Sequence, residues 1–163
     1  LKRTAQSPKF ELYQSDTCML MARYPQPTAQ AAYLDDSSPN LGAIYENVIA
    51  QELTAQGIPL YYYMAKKHGE VDFIADTNAD SVMPFEVKSG RSYRMHAAID
   101  AVLANAEYRI SQGVVLSRSN IAQDGGTTYL PLYATYCLRD VCNLASPSTV
   151  STIGDFSLTV HPV

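Results

Sequence analysis

The sequence predicts an α/β fold, a small mixed sheet with helices on its faces. Three observations carry that expectation. The segment Leu41–Gln56 places Ile44, Val48, Ile49 and Leu53 at helical spacing. Three strand-like runs follow it without another helix between them, Ile58–Tyr63, Glu70–Ala75 and Val82–Lys88, and so read as an antiparallel meander. A second helical segment, Tyr93–Glu107, then leads into Gly113–Leu116, whose unbroken apolar character marks a buried strand. The order α-β-β-β-α-β(-β) puts helices on a sheet that is partly antiparallel and partly parallel.

The remaining elements fit around that frame. Lys9–Ala22 opens with Phe10, Leu12 and Tyr13 in a short strand, after which Asp16 caps a helical turn through Met19–Ala22. Residues 24–40 hold three prolines beside Asp35, Asp36, Ser37, Ser38 and Asn40, the composition of a mobile loop. Gly57 stops the first long helix. Lys66–Gly69 makes a turn and Thr77–Asp80 a hairpin loop. Asp124–Thr128 is a turn before a last strand, Tyr129–Tyr136. The expected organisation is a lead-in over 1–40, a core over 41–142 and a Ser/Thr/Pro-rich tail over 143–163.

The chain has 163 residues, 47% of them hydrophobic and 17% charged, enough apolar material for one domain with one core. The net charge of -4 is a poor match to bulk coating of nucleic acid. Residues 61–120 carry seven basic and seven acidic residues, leaving five of the twelve basic and nine of the sixteen acidic residues elsewhere, so the middle is the relatively basic part. Three cysteines, Cys18, Cys137 and Cys142, without C-x-x-C spacing, argue against a disulfide framework and a structural zinc site. Reduced thiols point to the cytoplasm, and neither a signal peptide nor a membrane-length apolar run is present. The chain opens on Leu1 rather than Met, as a piece of a longer protein would.

Three acids and a lysine stand out by position. Glu86 and Lys88 alternate with Val87, so both point to one face of their strand while Val87 turns into apolar packing. A hairpin around Thr77–Asp80 brings Asp72 across from Glu86. Two carboxylates held together repel unless something positive lies between them. Mg²⁺ or Mn²⁺ suits carboxylate oxygen and water, and a compact lysine charge suits a phosphate oxygen or the attacking water. Phosphodiester hydrolysis needs those parts.

Asp72, thirteen residues, then Glu86-Val87-Lys88 resembles the metal-binding core of the PD-(D/E)XK nuclease superfamily. The helix at Leu41–Gln56 is similar to the superfamily's first helix, and Glu46 fits the glutamate that helix presents. Order and spacing are similar to archaeal Holliday-junction resolvases, although the acid here follows Val71 instead of the signature's Pro. A closer resemblance is to the uncharacterised C-terminal domain of a family of prokaryotic AAA-type ATPases. It is carried by Ser15-Asp16-Thr17, Gly42-Ala43-Ile44-Tyr45-Glu46-Asn47, Gly69-Glu70-Val71-Asp72-Phe73 and Glu86-Val87-Lys88-Ser89-Gly90. Cys18 stands where relatives often have Gly.

The resemblance implies a restriction-endonuclease-like fold, Mg²⁺ or Mn²⁺ as cofactor, DNA as partner, and an N-terminal P-loop ATPase module in the same parent chain. No P-loop motif occurs in these residues. The implied metal ligands are Asp72, Glu86, Glu46 and the Val87 carbonyl, with Lys88 on the attacking water. Lys66, Lys67, Ser89, Arg91 and Arg94 are the expected substrate contacts. The expected function is a divalent-metal-dependent nuclease-like domain. The alternative is an inactive module of the same fold that binds nucleic acid or a protein and regulates the ATPase.

Plainer readings stand beside these. Asp72 and Lys88 as a cross-strand ion pair would be worth little. Glu46 could be a solvated helix residue, and Glu70, which would face as Asp72 does only in a regular strand, is read as supporting the ligands rather than joining them. Tyr61–Tyr63 suit base stacking less well than strand packing on alternate faces. His68 reads as a turn residue, His96 as a packed or solvated residue at a helix start that could otherwise reach substrate, and His161 as part of the tail.

Overall fold

The computed structural model describes residues 11–34, 40–65, 69–79, 81–90, 92–145 and 160–162. A seven-stranded mixed sheet runs through the molecule in the order β5-β6-β4-β3-β2-β1-β7. The expected meander is present. β1 (Tyr61–Ala65), β2 (Gly69–Asp76) and β3 (Val82–Lys88) are antiparallel neighbours. Helix α4 (Ala97–Ala104) then carries the chain over the sheet to β4 (Gly113–Ser117), which lies parallel to β3. β6 (Thr127–Pro131) is parallel to β4 and takes the short β5 (Ala122–Asp124) on its open edge, while β7 (Val160–Pro162) pairs with β1. The fold is mixed α/β with helices flanking the sheet, consistent with a restriction-endonuclease-like fold.

The sheet separates two apolar layers. On one side α3 (Gly42–Ala55) lays Ile49, Ala50 and Leu53 against Phe73, Ala75, Met83, Phe85, Val87, Val114 and Leu116. On the other, Ala98 and Val102 of α4 meet Val71, Ile74 and Val82, and Ile99 meets Val115 and Tyr129. α3 ends where Gly57 takes a left-handed φ of 71°, a conformation that a side chain would strain.

Five expectations need correction. Glu11–Ser15 forms no strand; it runs along α3 instead, tied there by side chains. Residues 24–40 are not all loop, because α2 (Gln26–Tyr33) forms with Pro25 as its N-cap and Pro27 in its first turn, the one place where a helix tolerates proline. The second long helix is confined to α4, since Tyr93 and Arg94 form a turn and Ala106–Tyr108 is a separate 3-10 turn. The last strand stops at Pro131 and the chain continues as a 3-10 turn over Leu132–Cys137 and α5 (Leu138–Val141). The tail is also partly core: Leu144 is buried and bridges to Thr77. The expected helical turn after Asp16 is α1 (Thr17–Met21), with Asp16 Oδ1 accepting from the Cys18 and Met19 amides.

The lead-in is fastened by α3. Buried Asn47 donates through Nδ2 to Gln14 O at 3.1 Å and to Thr17 Oγ1 at 2.9 Å, and its Oδ1 accepts from Gln14 N at 2.7 Å. One turn on, Gln51 Oε1 accepts from both Thr17 N and Thr17 Oγ1. Asn47→Ala leaves these half-buried partners unmatched. It is expected to cost about 1 kcal/mol and to speed amide exchange at Gln14, whose N–H donates to the Asn47 side chain, while the sheet amides keep their protection. Unchanged exchange at that amide would contradict the fastening.

Candidate metal centre

The site forms where β2 and β3 part. Their ladder ends at the pair Phe73 and Phe85. One step beyond, the Asp72 side chain takes over from the backbone: Val87 N–H donates to Asp72 Oδ2 at 2.7 Å. On its other edge β2 is irregular. Tyr61 pairs with Ile74 and Tyr63 with Val71, so β2 spends one residue more than β1 between those pairs. This is a β-bulge, and Asp72 and Phe73 lie within it. Bulges re-aim side chains. Here Val71 and Ile74 both pack on the α4 layer while Phe73 packs on the α3 layer.

Glu86 and Lys88 sit as the alternation requires. Val87 is buried in the α3-side core, and the Lys88 ammonium forms an ion pair with Glu86 Oε1. Glu86 is 5% exposed, and its second oxygen, Oε2, is buried without a hydrogen-bond partner among the described residues. The plain reading of an Asp72–Lys88 ion pair is thereby corrected: Lys88 pairs along its own strand, and Asp72 is held by an amide.

Glu46 reaches the same region from α3. A β-carbon built on Gly42 would lie 3.8 Å from Glu46 Oε1 and 3.9 Å from Ser89 Oγ, so both side chains border the start of α3. Gly42 N–H is itself capped by Asn40 Oδ1 at 3.0 Å.

The electrostatics centre on Asp72. Burial pushes the Asp72 carboxyl up to about 8; the Val87 N–H and the Lys88 charge oppose that shift, and the charges of Glu46 and Glu86 add to it. Asp72 keeps some solvent exposure, but protein crowds it enough for desolvation to dominate. Burial also raises Glu46, helped by the charge of Glu11 and resisted by Lys88. Tyr13 is raised by burial first and then by its hydrogen bond to Glu11, with Glu46 and Asp72 adding smaller effects.

Glu11 and Tyr13 were missed in the sequence, where they read as part of a lead-in strand. The usable signal was their two-residue spacing in an extended segment ahead of a helix that carries amides at Asn47 and Gln51, one turn apart. The charges of Glu46, Glu86 and Lys88 all act on Asp72, and Lys88 pairs with Glu86; Ser89 borders the start of α3 near Gly42. Val87 contributes its amide N–H to Asp72. The structure does not bring Arg94 to this group. Its guanidinium lies 5.5 Å from the Tyr129 ring and 5.8 Å from the Tyr93 ring, with Asp124 Oδ2 at 3.8 Å. β6, which carries Tyr129, is three strands from β2, about 14 Å at ordinary strand spacing. Lys66, Lys67, Arg91 and His68 lie outside the described residues.

The other aromatic readings resolve toward packing. Tyr62 is buried, Tyr61 and Tyr63 pack on the α4 layer, and Tyr63 bonds the Tyr108 hydroxyl at 2.9 Å. His96 is buried at the start of α4, with Nε2 2.6 Å from the Tyr129 hydroxyl. Its Nδ1 lies 2.9 Å from Asp100 Oδ1 but is not aligned for a hydrogen bond.

The donors suit a hard divalent cation. All are oxygens, and the unpartnered Glu86 Oε2 is the atom a cation would satisfy. No group of three or more His, Cys, Asp or Glu among the described residues already converges to hold an ion. No helix among the described residues is long and apolar enough to cross a membrane, and the three cysteines are free thiols. Comparison with curated proteins and with solved structures finds no match. Residues 41–135, more than half of the sequence and spanning Glu46 through Lys88, match the family model of a domain of unknown function, DUF4143. The chain belongs to the DUF4143 family.

Proposed function

We propose that this domain is a divalent-metal-dependent, nuclease-like domain that hydrolyses phosphodiester bonds of DNA, and that it forms the C-terminal part of a cytoplasmic AAA-type ATPase with a P-loop module. The observation that carries the reading is Glu86 Oε2, buried and unpartnered in a group of acids that includes Asp72 and Glu46 and has Lys88 as its nearby cation. Asp72 and Glu86, with the Val87 carbonyl, would hold Mg²⁺ or Mn²⁺. The bound ion supplies Lewis-acid polarisation of a phosphoryl oxygen and lowers the pKa of a bound water. The Val87 amide fixes Asp72 in orientation. Lys88 offers its charge to the attacking water or to the developing oxyanion, and Glu46 orients a further water. Ser89, which borders the start of α3, would offer its hydroxyl to a phosphate oxygen.

A second reading has its own support. Lys88 is engaged by Glu86, and no closed ligand set is preformed among the described residues. Both features suit an inactive module of the same fold that binds nucleic acid or a protein and regulates the ATPase.

Calorimetric titration with Mn²⁺ separates the two. The wild type is expected to bind, and Asp72→Ala to lose binding without unfolding. Asp72→Ala and Lys88→Ala are each expected to abolish cleavage of duplex, single-stranded or branched DNA. A wild type that takes up no Mn²⁺, with or without DNA, would leave the regulatory module as the account.

A further inference from the structure

A second cluster of ring and charged side chains lies on the α4 face of the sheet, over β6. Its centre is Tyr129, which is 2% exposed. The Tyr129 hydroxyl lies 2.6 Å from Nε2 of buried His96, and the Tyr93 ring meets the Tyr129 ring edge-on at 5.7 Å. The Arg94 guanidinium lies over both rings, 5.5 Å from the centre of Tyr129 and 5.8 Å from that of Tyr93. A guanidinium laid on rings that are themselves packed is oriented before any ligand arrives. Asp124 Oδ2 stands 3.8 Å from Nη1, beyond hydrogen-bond reach, and both side chains face solvent, exposed by 60% and 73%.

Strand register places this cation relative to the acids. Glu86 pairs with Val115 and Val115 with Tyr129 in two parallel ladders, so the three side chains share one face. That face is the α4 face, since Val87 packs on the α3 side while Val115 and Tyr129 pack with Ile99 of α4. Two strand spacings separate the Glu86 and Tyr129 backbones, about 10 Å. Lys88 stands at the Glu86 end of that span. Phosphates along one strand of DNA advance by about 3.4 Å each, so about three steps cover the distance. A strand crossing β3, β4 and β6 with one phosphate at Lys88 therefore brings another to Arg94.

We propose that Arg94 is a phosphate contact for a DNA strand that runs from the Glu86–Lys88 end across β4 to β6, with the Tyr93 and Tyr129 rings as its support. The inference rests on the DNA reading of the domain and not on the metal. The ligand is a backbone phosphate, two of whose oxygens suit the guanidinium fork. Asp124 is the opposing charge, since its carboxylate repels the same phosphate. A contact to the backbone carries no sequence information.

The test is fluorescence anisotropy of the 163-residue protein with labelled single-stranded and duplex DNA in chelator, over a series of salt concentrations. Arg94→Ala should weaken binding by about tenfold at low salt, by the same factor for unrelated sequences, and lower the slope of log affinity against log salt by about 0.7–0.9. Arg94→Lys should keep the slope and recover only part of the affinity, because an ammonium neither stacks flat nor forks. Asp124→Asn should move affinity the other way and tighten binding. A purely structural pair of charges predicts no such opposition. Melting temperatures should stay near wild type for all three variants, since both side chains are mostly exposed. Where Mn²⁺ supports cleavage, Arg94→Ala should raise KM and leave kcat unchanged. Wild-type affinity and salt slope in Arg94→Ala, in a protein that binds DNA, overturn this inference and leave the DNA reading standing. No DNA binding by the wild type, in chelator or with Mn²⁺, overturns both.

Discussion

Asp72→Asn is expected to stabilise the metal-free protein, and the gain should grow with pH. The folded-state carboxyl is pushed up to about 8, against 3.8 for an unperturbed aspartate. Below the unfolded value both states hold the proton and Asp72 imposes no penalty. As pH rises between the two values the unfolded chain releases the proton first, so unfolding is increasingly favoured. The wild type therefore loses stability from about pH 4 to pH 8, by as much as ~1.4 kcal/mol per pH unit from this group. Above the folded value the loss is complete. Asparagine carries no proton to release and keeps an oxygen for the Val87 amide. The difference in denaturant midpoint between variant and wild type should be small near pH 4 and level off near pH 8, worth on the order of a few kcal/mol. A difference independent of pH would mean that Asp72 is ionised in the folded protein at all these values. With saturating Mn²⁺ the wild-type trend is expected to reverse, because a bound cation favours the ionised carboxylate.

The frame of this site was legible because periodicity reports what a side chain does along its own element. α3 begins and ends within a residue of the apolar pattern, and β3 has the bounds that Val82–Lys88 predicted. Glu86 and Lys88 on one face with Val87 in the core follow from strand alternation alone. What was not legible depends on pairing. The bulge at Asp72 exists only as a mismatch between β1 and β2, so neither strand's sequence contains it. Asn47 looks like any polar residue on a helix until Gln14 and Thr17 are brought from thirty or more residues away. The prolines at 25 and 27 suggested a loop because composition does not say whether a proline falls in a helix's first turn or its middle. The 3-10 turn over Leu132–Cys137 continues an apolar, tyrosine-rich run, and apolar character there serves packing under α3, with Gln56 Nε2 donating to Thr135 O at 2.8 Å.

These same long-range ties explain why the resemblance segments lie where they do. Asp16-Thr17 meets α3 through Asn47 and Gln51, the first turn of α3 meets Ser89 through Gly42, and Val87 meets Asp72. Four stretches that are scattered in sequence are neighbours around one group of carboxylates.

Lys88→Ala is expected to be the more costly of the two key substitutions for stability, opposite in sign to Asp72→Asn. Removing the ammonium leaves Glu86 with neither oxygen partnered in a position that is 5% exposed. Breaking a buried pair costs about 3–5 kcal/mol. Lys88 retains 30% side-chain exposure, so water replaces part of its charge and about 2 kcal/mol is the fitting expectation. Glu86→Leu combined with Lys88→Leu should recover most of that loss, because two apolar residues strand no charge. The recovery, read from urea midpoints, would show that the lysine is needed by Glu86 and not by the fold. If Glu86 also ligates the cation, saturating Mn²⁺ must shrink the cost of Lys88→Ala, since the ion then supplies the missing positive charge. A cost that stays the same with and without Mn²⁺, in a protein that binds the ion, would place the metal on Asp72 and Glu46 and leave Glu86 a partner of Lys88 alone.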